Sequence, residues 1–219
     1  MFILRILRAT LFIVAAAVAT ASNAATVPAF DTLGPANAYT FGQGFSVGGG
    51  SGPYRINYAP LMKFTAGATG TLVSAELALQ TYCCAGASPV VTLRLMSDNN
   101  GVPGHVLETA GSSVSYAPEV VSGTFAGGLQ ITSGTTYWFG VTTADANAGH
   151  GWGRNVLGFV GTHAFTGAYW QLPGEWFYNN NITLGAFRVS VASPVDEPTV
   201  ALLFALGAVP LVCCLRTRV

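Results

Sequence analysis

The chain predicts an all-β fold: an antiparallel β-sandwich, jelly-roll-like, between an N-terminal signal peptide and a C-terminal hydrophobic helix. Three observations lead there. Apolar residues in the middle of the chain recur with a period of two, the spacing of strands with one face buried. Clusters of Gly, Asn, Asp and Ser interrupt these runs at short intervals, and no stretch between them shows a capped 3.6-residue period. Both ends are apolar runs flanked by arginines, in contrast to the Gly-, Thr- and Ser-rich middle.

The N-terminal element, residues 1–24, has Arg5 and Arg8 before an uncharged core from Leu11 to Ala19. Ser22-Asn23-Ala24 then places small residues where a signal peptidase needs them, so cleavage is expected before Ala25. The core is too short to favour the alternative, an uncleaved membrane helix. Export of the chain follows.

Residues 25–193 are long enough for one domain with a substantial core. Val73, Ala75, Leu77 and Leu79 alternate with Ser74, Glu76, Ala78 and Gln80, which predicts a half-buried strand. Val91, Leu93 and Leu95 predict a second strand, with Thr92 and Arg94 on its other face. Tyr137, Phe139 and Val141 predict a third beside Trp138 and Thr142. Phe187, Val189 and Val191 predict the last, with Arg188 and Ser190 outward. Weaker strand patterns cover Phe41 to Val47, Val120 to Phe125 and Gly158 to Phe165. Gly48 to Gly52 and Asp98-Asn99-Asn100-Gly101 are the expected turns, with Pro103-Gly104 extending the second.

The tail, residues 194–219, opens on Asp196-Glu197-Pro198 and continues as about 17 uncharged residues, Thr199 to Leu215, before Arg216 and Arg218. That length is at the lower limit for crossing a hydrocarbon core. Acidic residues before the run and arginines after it fit a span whose basic end stays inside. Pro210 and Gly207 are tolerated in membrane helices. These ends say where the chain goes, not what it does there.

An acidic-proline motif, an apolar helix and terminal arginines together resemble a PEP-CTERM sorting signal. The family pattern is Pro-Glu-Pro before the helix, and here Asp196 replaces the first proline. The resemblance implies an exosortase-type processing enzyme as partner and a Gram-negative bacterial source, often one that makes exopolysaccharide. The chain would then end at the cell surface or in the extracellular medium, or remain membrane-anchored. A second resemblance lies within residues 40–143. Leu93 through Gly104, a strand running into Ser-Asp-x-x-Gly-x-Pro-Gly, with Thr135-Thr136-Tyr137-Trp138, is similar to the choice-of-anchor bacterial surface domains. That resemblance implies no particular activity.

Composition narrows the chemistry. Only 8% of residues are charged and the net charge is zero, which excludes an electrostatic footprint for nucleic acid. The cysteines come as two adjacent pairs, Cys83-Cys84 and Cys213-Cys214, without the C-x-x-C spacing of a metal site. For Cys83 and Cys84 the states are free thiols, a vicinal disulfide, or intermolecular bridges. His105, His150 and His163 share no metal-ligand spacing, and His150, within Gly149-His150-Gly151-Trp152-Gly153, reads as an exposed residue of a flexible turn. No metal and no cofactor are expected.

Among the carboxylates, Glu76 reads as solvated, while Glu175, surrounded by aromatics, is the best candidate for a catalytic acid. The aromatic band of Tyr169, Trp170, Trp176 and Tyr178 is the candidate carbohydrate-binding patch, since sugar rings stack on exposed aromatic faces. Its competing role is to fill or cover the core. Asp98 to Gly101 offers too few charges for Ca²⁺ and reads as a turn. The leading expectation is therefore a non-catalytic exported surface or extracellular-matrix protein. The alternatives are a polysaccharide-binding module and a glycan-active enzyme.

Overall fold

Thirteen strands and no helix occupy the described residues of the computed structural model, which are 24–49, 58–83, 89–145, 147–166 and 175–193. The expected sorting tail, and the expected signal peptide up to Asn23, lie outside them. Among the described residues no helix is long and apolar enough to cross a membrane.

In chain order the strands are β1 (Ala25–Asp31), β2 (Tyr39–Gly48), β3 (Ala59–Thr65), β4 (Gly70–Cys83), β5 (Val90–Asn99), β6 (Val102–Ser113) and β7 (Glu119–Thr124). They continue as β8 (Gln130–Ile131), β9 (Thr136–Thr143), β10 (Gly149–Asn155), β11 (Val160–Thr166), β12 (Phe177–Thr183) and β13 (Phe187–Ser193). One sheet runs β1-β13-β4-β10-β2, with β7 and β8 also paired to β4. The other runs β12-β11-β3-β9-β5-β6. The registered strand pairs are antiparallel.

The inner faces of both sheets meet in one core, as a β-sandwich requires. Leu77, Leu79, Val189 and Val191 come from the first sheet; Met62, Val91, Leu93, Leu95, Phe139 and Val141 come from the second, all at most 1% exposed. The four strongest strand patterns are thus strands, and they point their apolar residues inward. One detail differs. Ser190 pairs with Ser74 but Val191 pairs with Leu72, so Val73 is an extra residue in β4 and Leu72 takes its inner position.

A ladder of rings runs through this core. Phe30 lies 5.1 Å from Phe187, Phe187 5.1 Å from Phe139, Phe139 5.9 Å from Trp152, and Trp152 6.5 Å from Phe45. It continues through His163, Phe165 and Phe177, at 4.6, 5.3 and 5.7 Å, toward the surface.

Each sheet also has a covered outer face. On the second sheet Leu61, Met96, Trp138 and Ala164 are buried, with Trp176 packed on them. On the first sheet Leu33, Ala78 and Ala186 are buried under Tyr39, Phe41 and Val120. Alternation alone places Trp138 and Ala78 on polar faces, whereas each is fully buried.

The expected turn after β5 matches its sequence pattern in part, for clear backbone reasons. Asn100 (φ 54°) and Gly101 (φ 91°) make the expected tight turn between β5 and β6. Pro103 and Gly104, expected to prolong that turn, instead belong to β6. This strand lies at the edge of its sheet, where a proline without an N–H is tolerated.

Candidate functional site

The site forms where the ring ladder reaches the sheet edge. Here β2, the edge strand of the first sheet, faces β3 and β11 of the second. Between Trp152 and Arg154 the β10–β2 pairing slips: Trp152 pairs with Phe45, yet Arg154 pairs with Thr40. Phe41 to Gly44 therefore bulge out of the ladder, a distortion that re-aims edge side chains. Gly44 permits it, because a Cβ there would lie 2.7 Å from the Trp152 carbonyl oxygen.

Beside the bulge, a cleft of about 240 Å³ is lined by Gly44, Phe45, Ser46, Tyr58, Pro60, His163 and Phe165. The His163 ring is stacked on Phe165 and tilted against Phe45, and the residue is 6% exposed. Neither of its ring nitrogens has a hydrogen-bond partner among the described residues. Burial, assisted by the positive charge of Arg154, lowers its pKa from 6.5 to about 4, so the imidazole is neutral near pH 7. The Arg154 guanidinium lies 5.0 Å from the Phe45 ring centre and donates to Gln43 in the bulge at 3.4 Å.

A second recess, of about 190 Å³, shares Gly44, Phe45 and Ser46 and adds Phe41, Gln80, Tyr82 and Gly151. Gly151 floors it: a Cβ there would sit 3.6 Å from the Tyr82 ring and 3.8 Å from Phe41. The two hollows flank the same edge strand.

Gly149 to Gly153 is not a flexible turn but part of β10, with His150 and Trp152 both 0% exposed. His150 Nδ1 shares a hydrogen bond with Thr81 Oγ1 at 2.9 Å, and burial lowers its pKa although Asp145 opposes the shift. The strand escapes a sequence reading because Gly149, Gly151 and Gly153, which alternate with His150 and Trp152, carry no side chain to mark the second face. Gly153 would place a Cβ 3.3 Å from Ala78 Cβ and 3.4 Å from the Phe41 ring, so larger residues would collide. Read as His and Trp alternating with Gly, the segment does carry a period of two, and His163 and Phe165 carry the same signal.

Of the expected carbohydrate patch, Tyr169 and Trp170 lie outside the described residues. Trp176 is half-buried on the outer-face cluster, and Tyr178 is 38% exposed with its ring 6.3 Å from Trp138. Burial raises the Tyr178 pKa. Cys83 closes β4 opposite Gly149, whereas Cys84 lies outside the described residues, as do Asp196, Glu197, Pro198, Arg216 and Arg218. Glu175 is exposed.

Glu76 is held rather than solvated. Arg188 Nη1 reaches its Oε2 at 2.8 Å, while Arg188 Nε reaches Asp31 Oδ2 at 3.0 Å. Asp98 is likewise committed to the fold: it accepts from Trp138 Nε1 at 2.8 Å and Gly101 N–H at 2.9 Å, with Lys63 3.5 Å away. Among the described residues no group of three or more His, Cys, Asp or Glu is arranged to hold a metal ion.

No protein-family model matches the chain, and no curated protein matches it either.

Proposed function

We propose that the chain is an exported, non-catalytic protein of the cell surface or extracellular matrix, sorted through its PEP-CTERM-like tail. The observation that carries this reading is the tail itself, an uncharged Thr199-to-Leu215 run between Asp196-Glu197-Pro198 and the arginines 216 and 218. In this reading an exosortase-type enzyme processes the tail, the signal peptide leaves before Ala25, and the domain belongs with the choice-of-anchor surface domains. A jelly-roll-like topology is part of the same proposal. Its support is the frequent crossing between sheets, as β2, β3 and β4 alternate sheets and so do β8, β9, β10 and β11.

The test is to replace Thr199 to Leu215 by a polar linker in the producing bacterium. The protein should move into the medium, and intact-mass measurement should find an N-terminus at Ala25. Continued recovery with the membrane fraction would overturn the anchor.

A second reading, polysaccharide binding, is favoured by the ring-lined hollows at the β2 edge. Flat or tilted aromatic rings around an opening offer faces for the C–H surfaces of a sugar. This moves the interest from the Tyr169, Trp170, Trp176 and Tyr178 band to Phe45, Tyr58 and Phe165.

A further inference from the structure

The cleft between β2 and β11 combines three features that a packed sheet edge does not require. It is open and about 240 Å³ in volume, somewhat below the roughly 300 Å³ at which pockets for drug-sized ligands begin. It therefore suits one small ring rather than a long chain segment. Its walls are apolar rings, with Tyr58 5.9 Å from Phe165 at 50° and Phe45 opposite them. Into these walls is set a single imidazole, 6% exposed and without a partner on either nitrogen among the described residues.

That imidazole selects the ligand chemistry. Buried polar atoms are nearly always bonded, so two open nitrogens mark an unfilled demand. A neutral imidazole has one donor and one acceptor. An alkyl chain or hydrocarbon ring satisfies neither, and a carboxylate only accepts. A hydroxyl both donates and accepts, and a sugar carries several beside apolar C–H faces. Arg154 lies outside the cleft lining, with its guanidinium 5.0 Å from the Phe45 ring centre, and its positive charge assists burial in keeping His163 neutral.

We propose that this cleft binds one sugar ring of a polysaccharide, with Tyr58 and Phe165 against its apolar face and His163 bonded to its hydroxyls. The inference rests on the polysaccharide-binding reading and gives it a specific site. Phe45 and Phe165 shield the nitrogens in the unliganded fold, so binding turns the imidazole toward the opening. The location suits a surface protein. Ala192 pairs with Thr71 near the end of the domain, whereas Phe45 and Trp152 lie at the level of Leu79, eight residues along β4. At about 3.3 Å per residue the cleft is roughly 25 Å from where the chain leaves the sandwich.

The test is native electrophoresis of the full-length protein in gels cast with hydroxyethyl cellulose, dextran or alginate, which cover neutral and acidic polymers. At least one should slow the wild type. His163→Phe should weaken that retardation at least tenfold while raising Tm by about 3 °C, because it keeps the ring and removes two unbonded nitrogens. Tyr58→Ala, half-buried at the rim, should weaken it independently should His163→Phe misfold. Retardation unchanged in both variants overturns the proposal and leaves His163 a ring of the core. If Trp176→Ala with Tyr178→Ala abolishes retardation while the cleft variants do not, polysaccharide binding stands and this cleft is not its site. A wild type slowed by none of the three polymers defeats both.

Discussion

The two long sides of the sandwich are finished in opposite ways. On one side β6 of the second sheet and β7 of the first come into direct contact. Ser112 Oγ donates to the Ser122 carbonyl at 2.8 Å, and the Gly127 N–H donates to the Glu108 carboxylate. Gly123 is buried there, where a Cβ would lie 2.9 Å from Leu93 and 3.0 Å from Ala110. On the other side β2 and β11 carry Phe45, His163 and Phe165, and a cleft remains between the strands. Facing sheets stand about 10 Å apart. Glycine and serine let an edge close that gap through the backbone, whereas rings fill part of it and hold the rest open.

Acid should break the open side first. His163 and His150 both have pKa values below that of a free imidazole when folded, so the unfolded chain takes up protons before the folded one does. Stability is then present above pH 6.5 and is lost as pH falls toward about 4, by about 3 kcal/mol for His163 alone. Urea unfolding at pH 7 and pH 4.5 measures this, and His163→Phe should flatten the dependence. Equal stability at both pH values would mean that His163 is not shielded from water.

A smaller effect is expected from forcing the closed side apart. Gly123→Leu inserts a side chain where even a Cβ is crowded, and should cost about 2 kcal/mol in denaturant unfolding. A neutral result would show that β7 can lift from β6, removing the contrast between the two sides. The mildest expectation concerns Ser112→Ala, which removes the exposed hydroxyl that reaches the Ser122 carbonyl at 2.8 Å and the Ser113 carbonyl at 3.3 Å, and should cost no more than about 1 kcal/mol. A larger loss would assign the closure to that bond rather than to the small residues.

How much was legible beforehand depended on the residue type at each position. Val91, Leu93, Leu95 and Phe187, Val189, Val191 announce strands because an apolar side chain at every second residue has one satisfactory arrangement, burial on one face. β10 carries a fainter signal of the same period, since Gly149, Gly151 and Gly153 supply no polar side chain for the other half of the alternation. β6 was masked by Pro103, which a strand tolerates only at an edge, and edges are assigned by partners far away in the chain. Trp138 and Ala78 show the same limit: their sequence neighbours put them on the outer faces, and only Trp176 and Leu33 packing from elsewhere make those faces dry.

From the order of residues alone came the all-β class, the direction in which four strands turn their apolar sides, the Asn100-Gly101 turn and the contrast between the apolar ends and the Gly-, Thr- and Ser-rich middle. Each depends on neighbours within a few positions, where sterics and side-chain alternation act directly. The tertiary structure alone decided that His150 meets Thr81 while His163 meets no donor or acceptor among the described residues, and that Phe45, Tyr58 and Phe165 surround an opening. Burial and hydrogen bonding are properties of space, and the groups that supply or withhold them at this edge lie up to about 120 residues apart along the chain.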